Sequence, residues 1–177
     1  VLVEDFNGDS WPDLLFAHQY GANGHGDFEG TSIVYWGTET GPDLESPTAL
    51  TTHAAAGACA GDLNSDGYPD AVITELEWLQ GTKTGDRAQI FWGGADGLSD
   101  DSRTAVDASG PAGCSIYDLN LDGYHDLVIG NQTDGKSYEV DSQIHWGSAK
   151  GLETETWTAL PTRGAYSVVT HPMEDGY

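Results

Sequence analysis

The chain has 177 residues, with 29 Asp or Glu against 6 Lys or Arg and a formal net charge of −23 at pH 7. An acidic surface of this kind repels nucleic-acid phosphate and anionic lipid, so neither is an expected partner. No apolar run reaches the ~18 residues of a membrane span. Only 20% of residues are charged, and six Trp, eight Tyr and four Phe are present, which excludes a disordered chain and suits one domain with a buried core. The acidity fits either bound divalent cations, which the formal charge omits, or solubility in a salty or extracellular setting. The chain opens on VLVED without Met and is expected to be processed or incomplete, so a missing signal segment says nothing about secretion.

In chain order, the first recognisable element is the nonamer DFNGDSWPD, Asp5 to Asp13, followed by the apolar LLFA. A variable stretch, His18 to Thr31, leads to VYWG ending at Gly37 and then GTETGPDLE. The same order returns twice. DLNSDGYPD starts at Asp62 and DLNLDGYHD at Asp118, steps of 57 and 56 residues, and IFWG and IHWG end at Gly93 and Gly147. Such self-similarity marks a repeat architecture. Short β-rich runs separated by Gly, Asp and Asn point to all-β structure.

Each unit divides into four strands. In the second they are Ala58 to Gly61, Ala71 to Thr74, Gln89 to Trp92, and the stretch around Thr104 to Val106. Ile90 with Trp92, Val34 with Trp36 and Ile144 with Trp146 alternate onto one face. Four short antiparallel strands in such a unit make one β-propeller blade. The expected division is blade 1 over 1–57, blade 2 over 58–113, blade 3 over 114–166, and the first strand and degenerate loop of a fourth over 167–177. In that last stretch, SVVTHPMEDGY, His171 and Met173 replace the Asp and Asn at the first and third positions of the nonamer. Trp36, Trp92 and Trp146 are expected in the core. Cys59 and Cys114 match no metal spacing. The leading reading is two small buried residues on inner strands; a disulfide is the alternative and needs Cα atoms within about 7 Å.

The acidic nonamers place hard oxygen donors at positions 1, 3, 5 and 9, with the carbonyl at position 7 as a further donor. These are Asp5, Asn7, Asp9, Trp11 and Asp13; Asp62, Asn64, Asp66, Tyr68 and Asp70; Asp118, Asn120, Asp122, Tyr124 and Asp126. An all-oxygen set with three carboxylates suits Ca²⁺, one per loop and three in all. A helical calcium hand is excluded, because it needs Glu at position 12, where Phe16, Ile73 and Ile129 stand. The alternative is three metal-free Asx turns. Ser10 stands where the other loops have Gly67 and Gly123, so loop one is expected to be the strained and weakest site.

The combination of D-x-N-x-D-G-x-x-D, a following apolar strand and a Trp-Gly turn resembles the FG-GAP/VCBS repeat, from residue 1 to about 160. That repeat builds integrin α-subunit propellers and many secreted bacterial and fungal propellers, lectins among them. The resemblance implies a seven-bladed parent architecture, structural Ca²⁺ in the first hairpin of each blade, and an extracellular, secreted or cell-surface role in adhesion or carbohydrate binding. It fails at the loop near His171.

Antiparallel strands put the acidic loops and the Trp-Gly turns at one end of each blade. The connections His18–Thr31, Glu75–Arg87 and Asn131–Asp141 lie at the other. These differ most between units, and scaffolds place specificity in such loops. Tyr20, His25, Phe28, Trp78 and Tyr138 are candidate contacts for a glycan or an extracellular protein; covering blade edges is the alternative for them. Asn131-Gln132-Thr133 is an N-glycosylation sequon on an expected loop. Two binding readings follow: a calcium-stabilised extracellular binding module, or a structural subunit whose open blades stack on further blades or identical chains. A polysaccharide-active enzyme is disfavoured, because no G-x-S-x-G, H-E-x-x-H or phosphate loop occurs.

Overall fold

The computed structural model describes residues 1–21, 29–76 and 87–170. Twelve strands form three four-stranded antiparallel sheets, each in chain order. The first holds β1 (Leu2–Glu4), β2 (Asp13–Phe16), β3 (Glu29–Tyr35) and β4 (Thr48–His53). The second holds β5 (Ala55–Gly61), β6 (Asp70–Glu75), β7 (Arg87–Phe91) and β8 (Arg103–Asp107). The third holds β9 (Pro111–Tyr117), β10 (Asp126–Asn131), β11 (Ser142–His145) and β12 (Thr158–Leu160). These are the three expected blades. Blades 2 and 3 begin at Ala55 and Pro111, three residues before the expected boundaries at 58 and 114.

Two apolar layers lie between the sheets. Phe6, Leu15, Val34, Leu50, Ala71, Ile73, Phe91 and Leu98 fill the first. Leu63, Val72, Ile90, Val106, Leu127 and Ile129 fill the second. Strand alternation explains how β6 serves both: Ala71 and Ile73 face one layer and Val72 the other. A strand covered on both faces reads as a continuous apolar run, as AVIT does.

The cysteines form the Cys59–Cys114 disulfide, with Cα atoms 5.7 Å apart. This corrects the leading expectation of two unpaired buried residues. Innermost strands β5 and β9 lie against each other, so side chains in similar repeat positions meet across the gap. Closeness there depends on small residues: a methyl group on Gly57 would sit 2.7 Å from the Ala112 carbonyl oxygen.

The Trp-Gly tryptophans lie at the margin of the core rather than in it. Trp36 and Trp92 pack against the two layers while staying half-buried, because each indole N–H must reach a hydroxyl. Trp36, Trp92 and Trp146 donate to Thr48, Thr104 and Thr158 at 2.9, 3.0 and 2.8 Å, each twelve residues on. Of the expected fourth unit, 167–170 run alongside β9 without strand pairing, and Thr170 Oγ1 lies 2.7 Å from Ser115 Oγ. Residues 171–177, with His171 and Met173, lie outside the described residues.

Candidate metal centre

Each acidic loop is wound around its first Asp. In loop one, Asp5 Oδ1 accepts N–H groups of Gly8 (2.7 Å) and Asp9 (3.1 Å), and Oδ2 accepts that of Ser10 (2.8 Å). Asn7 Oδ1 accepts the Asp9 N–H at 3.0 Å, and Asp9 Oδ1 accepts the Trp11 N–H at 2.8 Å. Asp62, Asn64 and Asp66 repeat the scheme toward Asp66, Gly67 and Tyr68. Asp118, Asn120 and Asp122 repeat it toward Asp122, Gly123 and Tyr124. These are Asx turns, and short side chains at alternate positions are what they require.

Both the fourth and the sixth residue of each loop take left-handed backbone. The φ values are 75° and 73° for Gly8 and Ser10, 60° and 92° for Ser65 and Gly67, and 60° and 91° for Leu121 and Gly123. Every loop therefore has one glycine and one strained residue. The expected strain at Ser10 is present, but it does not set loop one apart. Leu121 is the bulkiest side chain held this way.

The ninth residue does something the sequence reading did not foresee. Asp13, Asp70 and Asp126 are fully buried. One oxygen of each accepts the N–H of the loop's second residue: Phe6 at 2.9 Å, Leu63 at 2.8 Å, Leu119 at 2.8 Å. The other accepts the N–H of the Trp-Gly glycine: Gly37 at 2.7 Å, Gly93 at 2.8 Å, Gly147 at 2.8 Å. The carboxylate is a clamp between two turns. The signal was in the sequence, since this Asp and that Gly recur together in every unit. A carboxylate has about four acceptor sites, so the clamp leaves capacity for a further partner.

Burial pushes the Asp13 carboxyl above its ordinary value; the Gly37 and Phe6 N–H groups pull it back, and Asp9 and Asp5 push it further up. Burial raises Asp70 to about 6, opposed by Gly93 and Leu63 and assisted by Asp66 and Asp62. Among the described residues the ion pairs are Arg87–Glu75, Arg103–Asp100 and Arg163–Glu139, and none reaches a loop carboxylate. Nor, among the described residues, do three or more His, Cys, Asp or Glu side chains gather into a ready ion cage. Each loop instead offers a mixed oxygen set of three carboxylates, one Asn amide and one main-chain carbonyl, a donor chemistry suited to a hard cation.

At the opposite end Tyr20 lies on the β2–β3 connection and Tyr138 on the β10–β11 connection, two sheets apart, exposed by 37% and 53%. His25, Phe28 and Trp78 fall outside the described residues. Asn131 corrects the expected sequon. It ends β10, is 1% exposed, donates through Nδ2 to the Asp141 carbonyl and accepts the Ser109 N–H. A glycan has no access to it. A cleft of ≈ 300 Å³ separates β4 from the second sheet. In it, buried Glu75 accepts the Arg87 Nε–H at 2.8 Å and the His53 N–H at 2.9 Å, while Arg103 donates to Asp100 and to the Thr51 carbonyl. Both arginines are neutralised there, so the cleft ties the sheets together rather than attracting an anion.

The model of the FG-GAP-like repeat family matches residues 5–73. The chain is 30% identical to integrin alpha-IIb of Mus musculus over 148 residues, 73% of this chain and 14% of that protein. It is 25% identical to integrin alpha-8 of Mus musculus over 190 residues, covering 100% of this chain and 17% of that protein. With integrin alpha-6 of Gallus gallus the identity is 27% over 152 residues, 77% of this chain and 13% of that protein. The chain thus spans under a fifth of the length of these relatives. With one loop, one clamp and one Trp-Gly turn repeated in three antiparallel sheets, it belongs to the FG-GAP repeat family of integrin-type β-propellers.

Proposed function

We propose that the chain is a calcium-stiffened extracellular adhesion module. Its acidic loops each take one Ca²⁺, and its opposite end binds a glycan or an extracellular protein. One observation carries the calcium half: three loops present the same oxygen-only donors with no Lys or Arg partner among the described residues. The holders would be Asp5, Asn7, Asp9, Asp13 and the Trp11 carbonyl in loop one. In loops two and three they would be Asp62, Asn64, Asp66, Asp70 and the Tyr68 carbonyl, then Asp118, Asn120, Asp122, Asp126 and the Tyr124 carbonyl. A bound divalent ion would supply positive charge that favours the carboxylate form of Asp70 and Asp13, offsetting the burial and the neighbouring carboxylates that push both groups up. Binding energy of that kind adds to folding energy.

Similarity to integrin alpha chains supports adhesion over catalysis, and the loop carboxylates have a structural role that leaves them unsuited to acid–base work. The disulfide supports an oxidising compartment, secreted or cell-surface. Calorimetric titration of the chelator-stripped chain is expected to give three Ca²⁺ per chain, and EDTA is expected to lower the melting temperature by several degrees. An unchanged melt in EDTA overturns the calcium half. For the binding half, alanine at Tyr20 and Tyr138 is expected to weaken capture of a glycan or extracellular ligand while leaving the melt unchanged.

A further inference from the structure

We infer that Tyr68 and His125 are positioning residues for cation loops other than their own: Tyr68 for loop one, His125 for loop two. The inference rests on the calcium reading above and adds an order of coupling between the loops. His125 Nδ1 lies 2.9 Å from the main-chain oxygen of Asp62, 63 residues away. A carbonyl only accepts, so Nδ1 carries the hydrogen. Asp62 is the residue around which loop two winds, its carboxylate taking the N–H groups of Asp66 and Gly67. Fixing its main chain fixes the root of that loop. The matching residues in loops one and two are Pro12 and Pro69, whose side chains have no donor.

Tyr68 reaches back in a different way. A methyl group on Gly8 would sit 2.7 Å from Tyr68 Cε1 and 3.3 Å from Cδ1, so the ring lies directly on the Gly8 main chain. Gly8 has φ 75° and donates its N–H to Asp5 at 2.7 Å. The ring therefore braces the turn that aims this donor. Through its main chain Tyr68 belongs to loop two, where its N–H is held by Asp66 at 2.9 Å and its carbonyl stands at the seventh position. One residue thus serves two loops. A second tie, from the Gly94 N–H to the Phe6 oxygen at 3.4 Å, joins the second sheet's turn to loop one. Ordering loop three orders His125 and with it loop two; ordering loop two orders Tyr68 and with it loop one.

The test is a CaCl₂ titration of the full chain followed by the amide signals of Gly8, Gly67 and Gly123, each reporting its own loop. His125→Ala is expected to weaken loop two by ~10-fold while loop three changes by under ~2-fold. His125→Asn restores loop two, because the Asn amide nitrogen can donate from the place of Nδ1. Tyr68→Ala weakens loop one by ~10-fold, and Tyr68→Phe does not, since the ring and not the hydroxyl touches Gly8. A purely structural role lowers the melt and shifts all loops alike, which overturns the inference, as do unchanged affinities in both alanine variants. If the unaltered chain shows no calcium-dependent shift at any of the three glycines, the calcium reading falls and this inference with it.

Discussion

The two ends of the blades are built on opposite plans. At the acidic end the same hydrogen bonds recur in all three sheets: first Asp to its loop, ninth Asp to loop and Trp-Gly turn, Trp to Thr. At the other end each connection has its own solution. Glu75 gathers Arg87 and His53, Asn131 gathers Ser109 and Asp141, and the Asp134 carboxylate closes a turn on Lys136 and Ser137. Where every repeat makes the same bonds, those bonds hold the repeat together; where the repeats differ, the chain is free to carry recognition.

Several substitutions probe that contrast. The largest effect is expected from replacing Cys59 and Cys114 with Ala, since closing a loop across a separation of 55 residues stabilises by about 4 kcal/mol in the chain-entropy treatment. Urea unfolding measures it, and a loss under ~1 kcal/mol would mean that packing alone sets the inner strands. Next comes Asp70→Ala, which strands the buried N–H of Leu63 and the half-buried N–H of Gly93 and should cost about 3 kcal/mol in the same assay. A loss confined to ~0.5 kcal/mol would break the contrast at its stronger end.

The third prediction concerns pH. His145 stands where the other units have Tyr35 and Phe91, and its Nδ1 donates to the Glu153 carbonyl at 2.9 Å. Burial holds its imidazole below the ordinary value of 6.5. A lowered folded pKa favours the neutral ring, so its contribution is whole above about pH 6.5 and is lost as pH falls through the folded pKa. The melting temperature of His145→Phe should fall less between pH 7.5 and 5 than that of the unaltered chain; an equal fall removes the assignment. Fourth, Leu121→Gly should gain about 1 kcal/mol by relieving left-handed backbone at an exposed site. The smallest effect is Tyr138→Ala, expected within ±0.5 kcal/mol, as suits an exposed ring at the variable end.

The sheets were legible because period-two alternation and a turn-rich repeat leave few alternatives. Strands around Ala71 to Thr74 and Gln89 to Trp92 fall within a residue or two of β6 and β7. The acidic loops were equally clear in their Asx chemistry. Three things were hidden. Pairing of Cys59 with Cys114 depends on how closely two inner strands approach, which spacing along the chain does not encode. Left-handed backbone at Ser65 and Leu121 carries no compositional mark, because only glycine announces it. Asn131 looked like an exposed sequon because Gln132, Thr133 and Asp134 read as a loop, yet it pairs with Pro111 at the end of a sheet and is buried there.

The disulfide also bears on how the molecule meets force. It joins the second and third sheets covalently, whereas the first and second are held by apolar contact and by ties such as Thr51 to Asp100 and Arg103 to Thr51. A pull along the chain therefore meets one stiff pair of blades and one yielding joint. Under such a pull β4 is expected to part from the second sheet before the cross-linked pair separates, since hydrogen bonds and apolar contact yield before a covalent bond.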